Sequence, residues 1–118
     1  MLLDRGADPN LGVQGDGNPL IMAAREGHLS IVSLLLDRGA RIEDIVDGDE
    51  NALIQASGAG ALDVVKLLVA RGANVNARVY VEEPYRGASE WRTPLSMARR
   101  GQHRAVVEFL LSKGAREN

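Results

Sequence analysis

The sequence predicts an all-α solenoid built from helix-turn-helix units that stack side by side. Three observations carry that prediction. A block of sequence recurs at a spacing of 33 residues within a chain of 118. Each copy spells two short helices with start and stop signals in order. Helices of that length are marginal alone in water, so they gain stability only by burying their apolar sides against neighbouring copies.

The repeat is read directly. Leu2-Leu3-Asp4-Arg5-Gly6-Ala7 returns unchanged as Leu35-Leu36-Asp37-Arg38-Gly39-Ala40, and Gly72-Ala73 follows 33 residues after Gly39-Ala40. Gly15-Asp16-Gly17-Asn18-Pro19-Leu20-Ile21 lines up with Gly48-Asp49-Glu50-Asn51-Ala52-Leu53-Ile54 at the same offset. Thr93-Pro94-Leu95 opens a third copy 42 residues after the second, and Gly114-Ala115 carries the same nine extra residues. One connection has therefore been lengthened.

The elements follow in order. Asn18 is a suitable N-cap, and Pro19 suits a first helical position because its missing N–H would lack an intrahelical partner there anyway. A first helix is predicted from about Pro19 to Glu26. A second runs from about Leu29 to Arg38, with Ile31, Val32, Leu34, Leu35 and Leu36 as its apolar side and Gly39 to close it in a left-handed turn. The later pairs read alike, from about Ala52 to Ala59 with Leu62 to Arg71, and Pro94 to Arg100 with Arg104 to Lys113. Phe109 aligns with Leu34 and Leu67 and is expected in the core.

Thr93-Pro94-Leu95, Ala23-Ala24-Arg25-Glu26-Gly27-His28-Leu29, Val64-Val65-Lys66-Leu67-Leu68 and Gly72-Ala73-Asn74-Val75-Asn76-Ala77 together resemble ankyrin repeats. The resemblance covers the whole chain, as three full repeats and the tail of an earlier one. It implies an ankyrin-repeat solenoid with extended turn or hairpin fingers. It divides a single domain into 1–16 (the end of a preceding repeat and its turn), 17–49, 50–89 with the lengthened finger, and 90–118 as the C-terminal capping repeat. The chain departs from the family pattern where a His usually follows Thr-Pro-Leu, since Ile21, Ile54 and Ser96 stand there, and Asn18 and Asn51 replace the usual Thr.

The two ends differ. Arg104 stands where the earlier copies have Leu29 and Leu62, and Arg99 where they have Ala24 and Ser57. Burying an unpaired charge is costly, so these arginines read as an end cap. Met1 enters one turn before the close of a second helix. Leu2 and Leu3 are expected to pack on the first full repeat, leaving an open N-terminal face and weak self-association through it.

Composition narrows the function classes. No run approaches the roughly 18 apolar residues of a membrane span, and the first residues lack the pattern of a signal peptide. The chain has no cysteine, which removes disulfide and thiolate chemistry and fits a cytoplasmic or other reducing compartment. A net charge of −2 disfavours a general nucleic-acid binder.

Candidate chemistry is sparse. His28 and His103 share one repeat position, which favours a structural role; no cysteine or third histidine completes a zinc site. The resemblance implies that this His packs and hydrogen-bonds in the turn between helices. Glu43, Asp44, Asp47, Asp49 and Glu50 cluster, but without EF-hand spacing, so local turn bonds are favoured over calcium. No nucleophile elbow, phosphate loop or zinc-protease helix is present. The expectation is a protein with no catalytic residues, metal or cofactor.

Charge is uneven along the chain. Residues 1–49 carry four basic and nine acidic groups, a net of −5, and residues 90–118 carry six and three, a net of +3. Such a surface either reflects ordinary solvated faces or steers a partner. The nine inserted residues fall in Tyr80-Val81-Glu82-Glu83-Pro84-Tyr85-Arg86-Gly87-Ala88-Ser89, and Tyr80, Tyr85 and Trp91 are three of the four aromatics in the chain. Repeat insertions tend to project on one face, often the binding face, and Tyr, Trp and Arg are the types that anchor interfaces. The plainer reading is that these rings only pin a long loop to the stack.

These features predict a module that binds another protein, with neither nucleic acid nor membrane as partner. The resemblance places variable surface positions at Gln14, Arg25, Glu26, Asp47, Glu50, Arg92 and Arg100. The insertion adds Tyr80, Glu82, Glu83, Tyr85, Arg86 and Trp91. Two other readings are a regulatory or targeting segment of a larger, possibly enzymatic protein, and a purely structural spacer.

Overall fold

The computed structural model describes residues 19–43, 51–83 and 88–116. Among them stand six helices and one hairpin: α1 (Pro19–Arg25), α2 (Leu29–Asp37), α3 (Ala52–Ala59), α4 (Leu62–Ala70), β1 (Val79–Glu83), β2 (Ala88–Arg92), α5 (Pro94–Arg100) and α6 (Arg104–Ser112). The expected helix pairs are present, each helix ending within a residue of its predicted close. The first helices α1, α3 and α5 form one layer, and the second helices α2, α4 and α6 form the other. The core lies between the layers, where Leu20, Leu53 and Leu95 repeat on the first helices and Val32, Val65 and Leu68, then Val106 and Leu110, on the second.

Each helix end has a local cause. Asn51 is buried and its side-chain oxygen accepts from the Ile54 N–H at 2.9 Å, so Asn takes over the capping role of the family Thr at α3. At α5 the cap is reciprocal: Thr93 Oγ1 accepts from Ser96 N–H at 3.0 Å, while Thr93 N–H donates to Ser96 Oγ at 2.9 Å. The serine that departs from the family pattern thus completes a capping box. The Asn18 cap lies outside the described residues.

The second helices end alike. Gly39, Gly72 and Gly114 adopt φ of +94°, +98° and +93°, a left-handed bend that only glycine enters without penalty. The next N–H then reaches back across the turn, from Ala40 to Leu35 O at 3.0 Å, Ala73 to Leu68 O at 2.9 Å and Ala115 to Leu110 O at 3.0 Å. These bonds satisfy carbonyls that a helix terminus otherwise leaves without partners.

Neighbouring repeats are tied along the turns. Arg71 pairs with Asp37, and Asn74 N–H donates to the Glu43 carboxylate at 3.3 Å. Asn76 Nδ2 donates to Gly114 O at 3.2 Å, and its Oδ1 accepts from Arg116 N–H at 2.8 Å.

Two core expectations need correction. Phe109 is only half-buried, with the Lys66 and Lys113 ammonium groups over its ring at 5.9 and 5.7 Å. Its row, with Leu34 and Leu67, lies at the margin of the core, where a ring still shelters its own area while the lysines keep their charge in water. Leu29, taken as a stacking residue, is 41% exposed and borders a surface hollow between α2 and α4. The reading of α5 and α6 as an end cap therefore rests more on Arg99, whose counterparts Ala24 and Ser57 are fully buried, than on Arg104. Leu2 and Leu3 lie outside the described residues.

Candidate functional site

The inserted segment is an antiparallel hairpin, with Val79 opposite Arg92, Tyr80 opposite Trp91, Val81 opposite Glu90, Glu82 opposite Ser89 and Glu83 opposite Ala88. Side chains alternate between the two faces of a strand. Tyr80 and Trp91, directly opposite, therefore share a face. Their ring centroids lie 5.3 Å apart at an interplanar angle of 59°, within the range of favourable tilted pairs. The Arg78 guanidinium covers the Trp91 ring at 4.9 Å, a cation–π contact. Despite these contacts Tyr80 and Trp91 remain 49% and 55% exposed. The rings pack on one another and leave about half of their surface to solvent.

Glu90 ties the hairpin to the helices. Arg92 Nε donates to its Oε1 at 3.1 Å, and an Arg100 guanidinium nitrogen donates to Oε2 at 2.6 Å. The hydrogen bond from Arg100 holds the Glu90 carboxyl below the ordinary glutamate value. Desolvation works against this and Arg92 adds to it. An isolated two-stranded hairpin is marginal in water. This one is fastened to the last turn of α5 through a charge-assisted bond.

Beside the hairpin lies a hollow of about 320 Å³ on the first-helix layer, lined by Arg25, Ile54, Gln55, Gly58, Ala59, Arg92 and Met97. The repeat offset explains its shape. Arg25, Gly58 and Arg100 occupy one equivalent position at the ends of the three first helices, so the middle repeat presents a glycine between two arginines. A methyl group at Gly58 would touch Met97 Cβ and Cε at 3.5 Å. The Gly58 carbonyl, left without an intrahelical partner at the end of α3, accepts from His103 Nε2–H at 2.9 Å.

The predicted positions divide as follows. Tyr80, Trp91, Arg92 and Arg100 meet on or beside the hairpin, and Arg25 joins Arg92 across the hollow. Glu26 is exposed and accepts from His28 Nε2 at 3.0 Å. Glu82 and Glu83 lie on β1. Gln14, Asp47, Glu50, Tyr85 and Arg86 lie outside the described residues. The two histidines, equivalent in sequence, differ in structure: His103 bridges to the preceding repeat, whereas His28 turns to its own Glu26. Sequence reading passed over Arg78, Glu90, Gly58 and Met97. Period-two spacing from Tyr80 was the available signal for Arg78, and the 33-residue offset from Arg25 was the signal for Gly58. Nothing local marked Glu90 or Met97.

Among the described residues no group of three or more His, Cys, Asp or Glu could hold a metal ion. No helix there is long and apolar enough to cross a membrane.

Paired helices in two layers, joined between the second and third pairs by a hairpin, define a stacked-repeat scaffold. Residues 1–79 match the family model for ankyrin repeats in three copies, and residues 90–118 match the model for the single ankyrin repeat. The chain belongs to the ankyrin-repeat family, whose members are generally protein–protein interaction modules. The two matches leave out residues 80–89, which span most of the hairpin. A search of the curated proteins finds no match to the chain.

Proposed function

We propose that this chain is a non-catalytic protein-binding module that holds its partner with the inserted hairpin and the adjoining first-helix face. The exposed Tyr80–Trp91 pair under the Arg78 guanidinium is the observation that carries this reading. Large aromatic side chains add much contact area while losing few rotatable bonds, and they dominate interface energetics when a partner covers them. Tyr80 belongs to the segment 80–89 that the family models omit, and Trp91, its partner across the hairpin, lies at the start of the stretch that matches again. Lengthening a loop costs little closure entropy, which gives stability no strong reason to require or to forbid the insertion.

The test is affinity capture with the chain as bait, in parallel with Trp91→Ala, Tyr80→Ala and a deletion of Val81 to Ser89 that restores the 33-residue spacing. A protein retained by the parent chain should be lost by the deletion and weakened by each alanine, with helical circular dichroism unchanged. Retained capture by a folded deletion variant rejects the hairpin as the site. Lost stability with binding kept would reduce the rings to a brace for the loop.

A further inference from the structure

The base of the hairpin narrows the chemistry of the partner. Arg78, just ahead of β1, is exposed, and its guanidinium lies over the Trp91 ring at 4.9 Å. Among the described residues it makes no hydrogen bond and no ion pair. A cation–π contact uses none of the guanidinium's five N–H donors, so they stay available. The Tyr80 hydroxyl and the Trp91 indole N–H likewise make no hydrogen bond among the described residues. Acids near this end are engaged or distant. Glu90, next to Trp91 in β2, belongs to the other face of the hairpin, where Arg92 and Arg100 hold it at 3.1 and 2.6 Å. Glu82 stands toward the far end of β1, about 13 Å from Arg78 along an extended chain. The face thus offers one positive charge, a set of donors, and two rings that are 49% and 55% exposed. A partner cation is disfavoured, because Arg78 already lies over the ring that would attract it. A helical segment is disfavoured too, since its carbonyls are taken by its own hydrogen bonds. An extended chain has free carbonyls, and proline removes N–H groups that a donor-rich face does not pair.

We propose that the base of the hairpin receives an extended acidic segment of the partner protein in which proline adjoins aspartate or glutamate. Arg78 takes the carboxylate, since its planar donor fork matches both oxygens. The pyrrolidine ring lies against Tyr80 and Trp91, and a neighbouring carbonyl accepts from the Trp91 indole N–H. A proline-rich segment is extended before it binds, so little ordering entropy is lost. The inference rests on the proposed interaction role of the hairpin and names the chemistry of the segment that it holds.

The experiment titrates the full chain at low salt with a fluorescein-labelled, blocked octapeptide of alternating proline and glutamate and reads anisotropy. Octapeptides of alternating proline and glutamine, and of alternating glycine and glutamate, are the neutral and the proline-free probes. The proline–glutamate peptide should bind at least about tenfold more tightly than the proline–glutamine one. It should bind at least about threefold more tightly than the glycine–glutamate one, which must be ordered on binding. Arg78→Gln and Trp91→Ala, checked for unchanged helical circular dichroism, should each weaken it about fivefold or more. Arg104→Gln, on a side chain 91% exposed on α6, should change it by less than about twofold. Emission from Trp91, the one tryptophan in the chain, should shift on titration with the unlabelled peptide. Equal binding of the proline–glutamate peptide and either comparison peptide overturns the proposal, as does unchanged Trp91 emission at saturation. So does a loss in Arg104→Gln as large as that in Arg78→Gln, which would assign the effect to general charge. If the proline–glutamate peptide fails while Trp91→Ala still loses the captured protein, the acidic segment is wrong and the hairpin reading stands. If Arg78→Gln loses the peptide while Trp91→Ala keeps the captured protein, the hairpin is not the partner's site and both fall.

Discussion

Three glycines around one histidine ring allow the tie between the second and third repeats to be measured. A Cβ at Gly60 would lie 2.5 Å from His103 Nδ1, and a Cβ at Gly101 would lie 2.5 Å from His103 Nε2. Both distances are impossible, so an alanine at either site must displace the ring. The two differ in backbone: Gly60 has φ of +76°, whereas Gly101 has φ of −82° and accepts any residue. Gly27 is the control, with φ of +75° but ordinary contact, its Cβ meeting Ala61 Cβ at 3.8 Å. Gly27→Ala should then cost only the left-handed penalty, about 1–2 kcal/mol. Gly101→Ala should cost the hydrogen bond to Gly58 O and leave that carbonyl without its partner, about 1–3 kcal/mol. Gly60→Ala carries both terms, about 2–4 kcal/mol. In a His103→Ala background the ring is gone, and Gly60→Ala should fall to the level of Gly27→Ala. Urea denaturation followed by circular dichroism measures each value, and the cycle isolates the coupling. Equal costs at Gly27 and Gly60 in the parent background would refute the clamp.

Ser57 is 0% exposed and its hydroxyl makes no hydrogen bond, so Ser57→Ala should stabilise the chain by about 1 kcal/mol; a lower urea midpoint would contradict this. The depressed Glu90 carboxyl contributes stability above the ordinary glutamate value, about 4.3, and loses it as pH falls through the lower folded value. Acidification through that window should loosen the hairpin and change Trp91 fluorescence, and Glu90→Gln should flatten the transition. Arg99→Ala with Arg104→Leu should increase association at the C-terminal end, where Leu111 is already 43% exposed; light scattering equal to the parent would count against an arginine cap.

Helix positions were legible because three signals agree at each: apolar spacing, a capping residue and a closing glycine. Asn51, Thr93, Gly39, Gly72 and Gly114 state their roles in the sequence. What escaped depends on side chains meeting across repeats. Leu29 and Phe109 look like core residues by alignment, yet their rows sit at the outer margin, and amphipathicity cannot report how far a neighbour covers them. His28 and His103 show the same limit, since one repeat position yields a surface contact in one copy and an inter-repeat bond in another. The nine-residue insertion announced itself by breaking the period, and its aromatics stood out by type. The partnership of Glu90 with Arg100, ten residues on, is a matter of three-dimensional placement alone.

The histidine bond between α3 and the turn before α6 has a consequence for how the chain comes apart. In a stacked array, stability is close to a sum over repeats and nearest-neighbour interfaces, so the weakest junction opens first. His103 bridges the second and third repeats, whereas the equivalent position between the first and second is Ala61, which offers a methyl group in place of a ring and a donor. Unfolding should therefore be directional. Native-state hydrogen exchange is expected to show α1 and α2 opening at lower free energy than α4 and α6, with the hairpin-bearing half surviving as the slower unit. A partner bound at the hairpin would then sit on the part of the array that persists longest, and thermal fraying of the first repeat would cost it the contacts at Arg25 while leaving those at the hairpin in place.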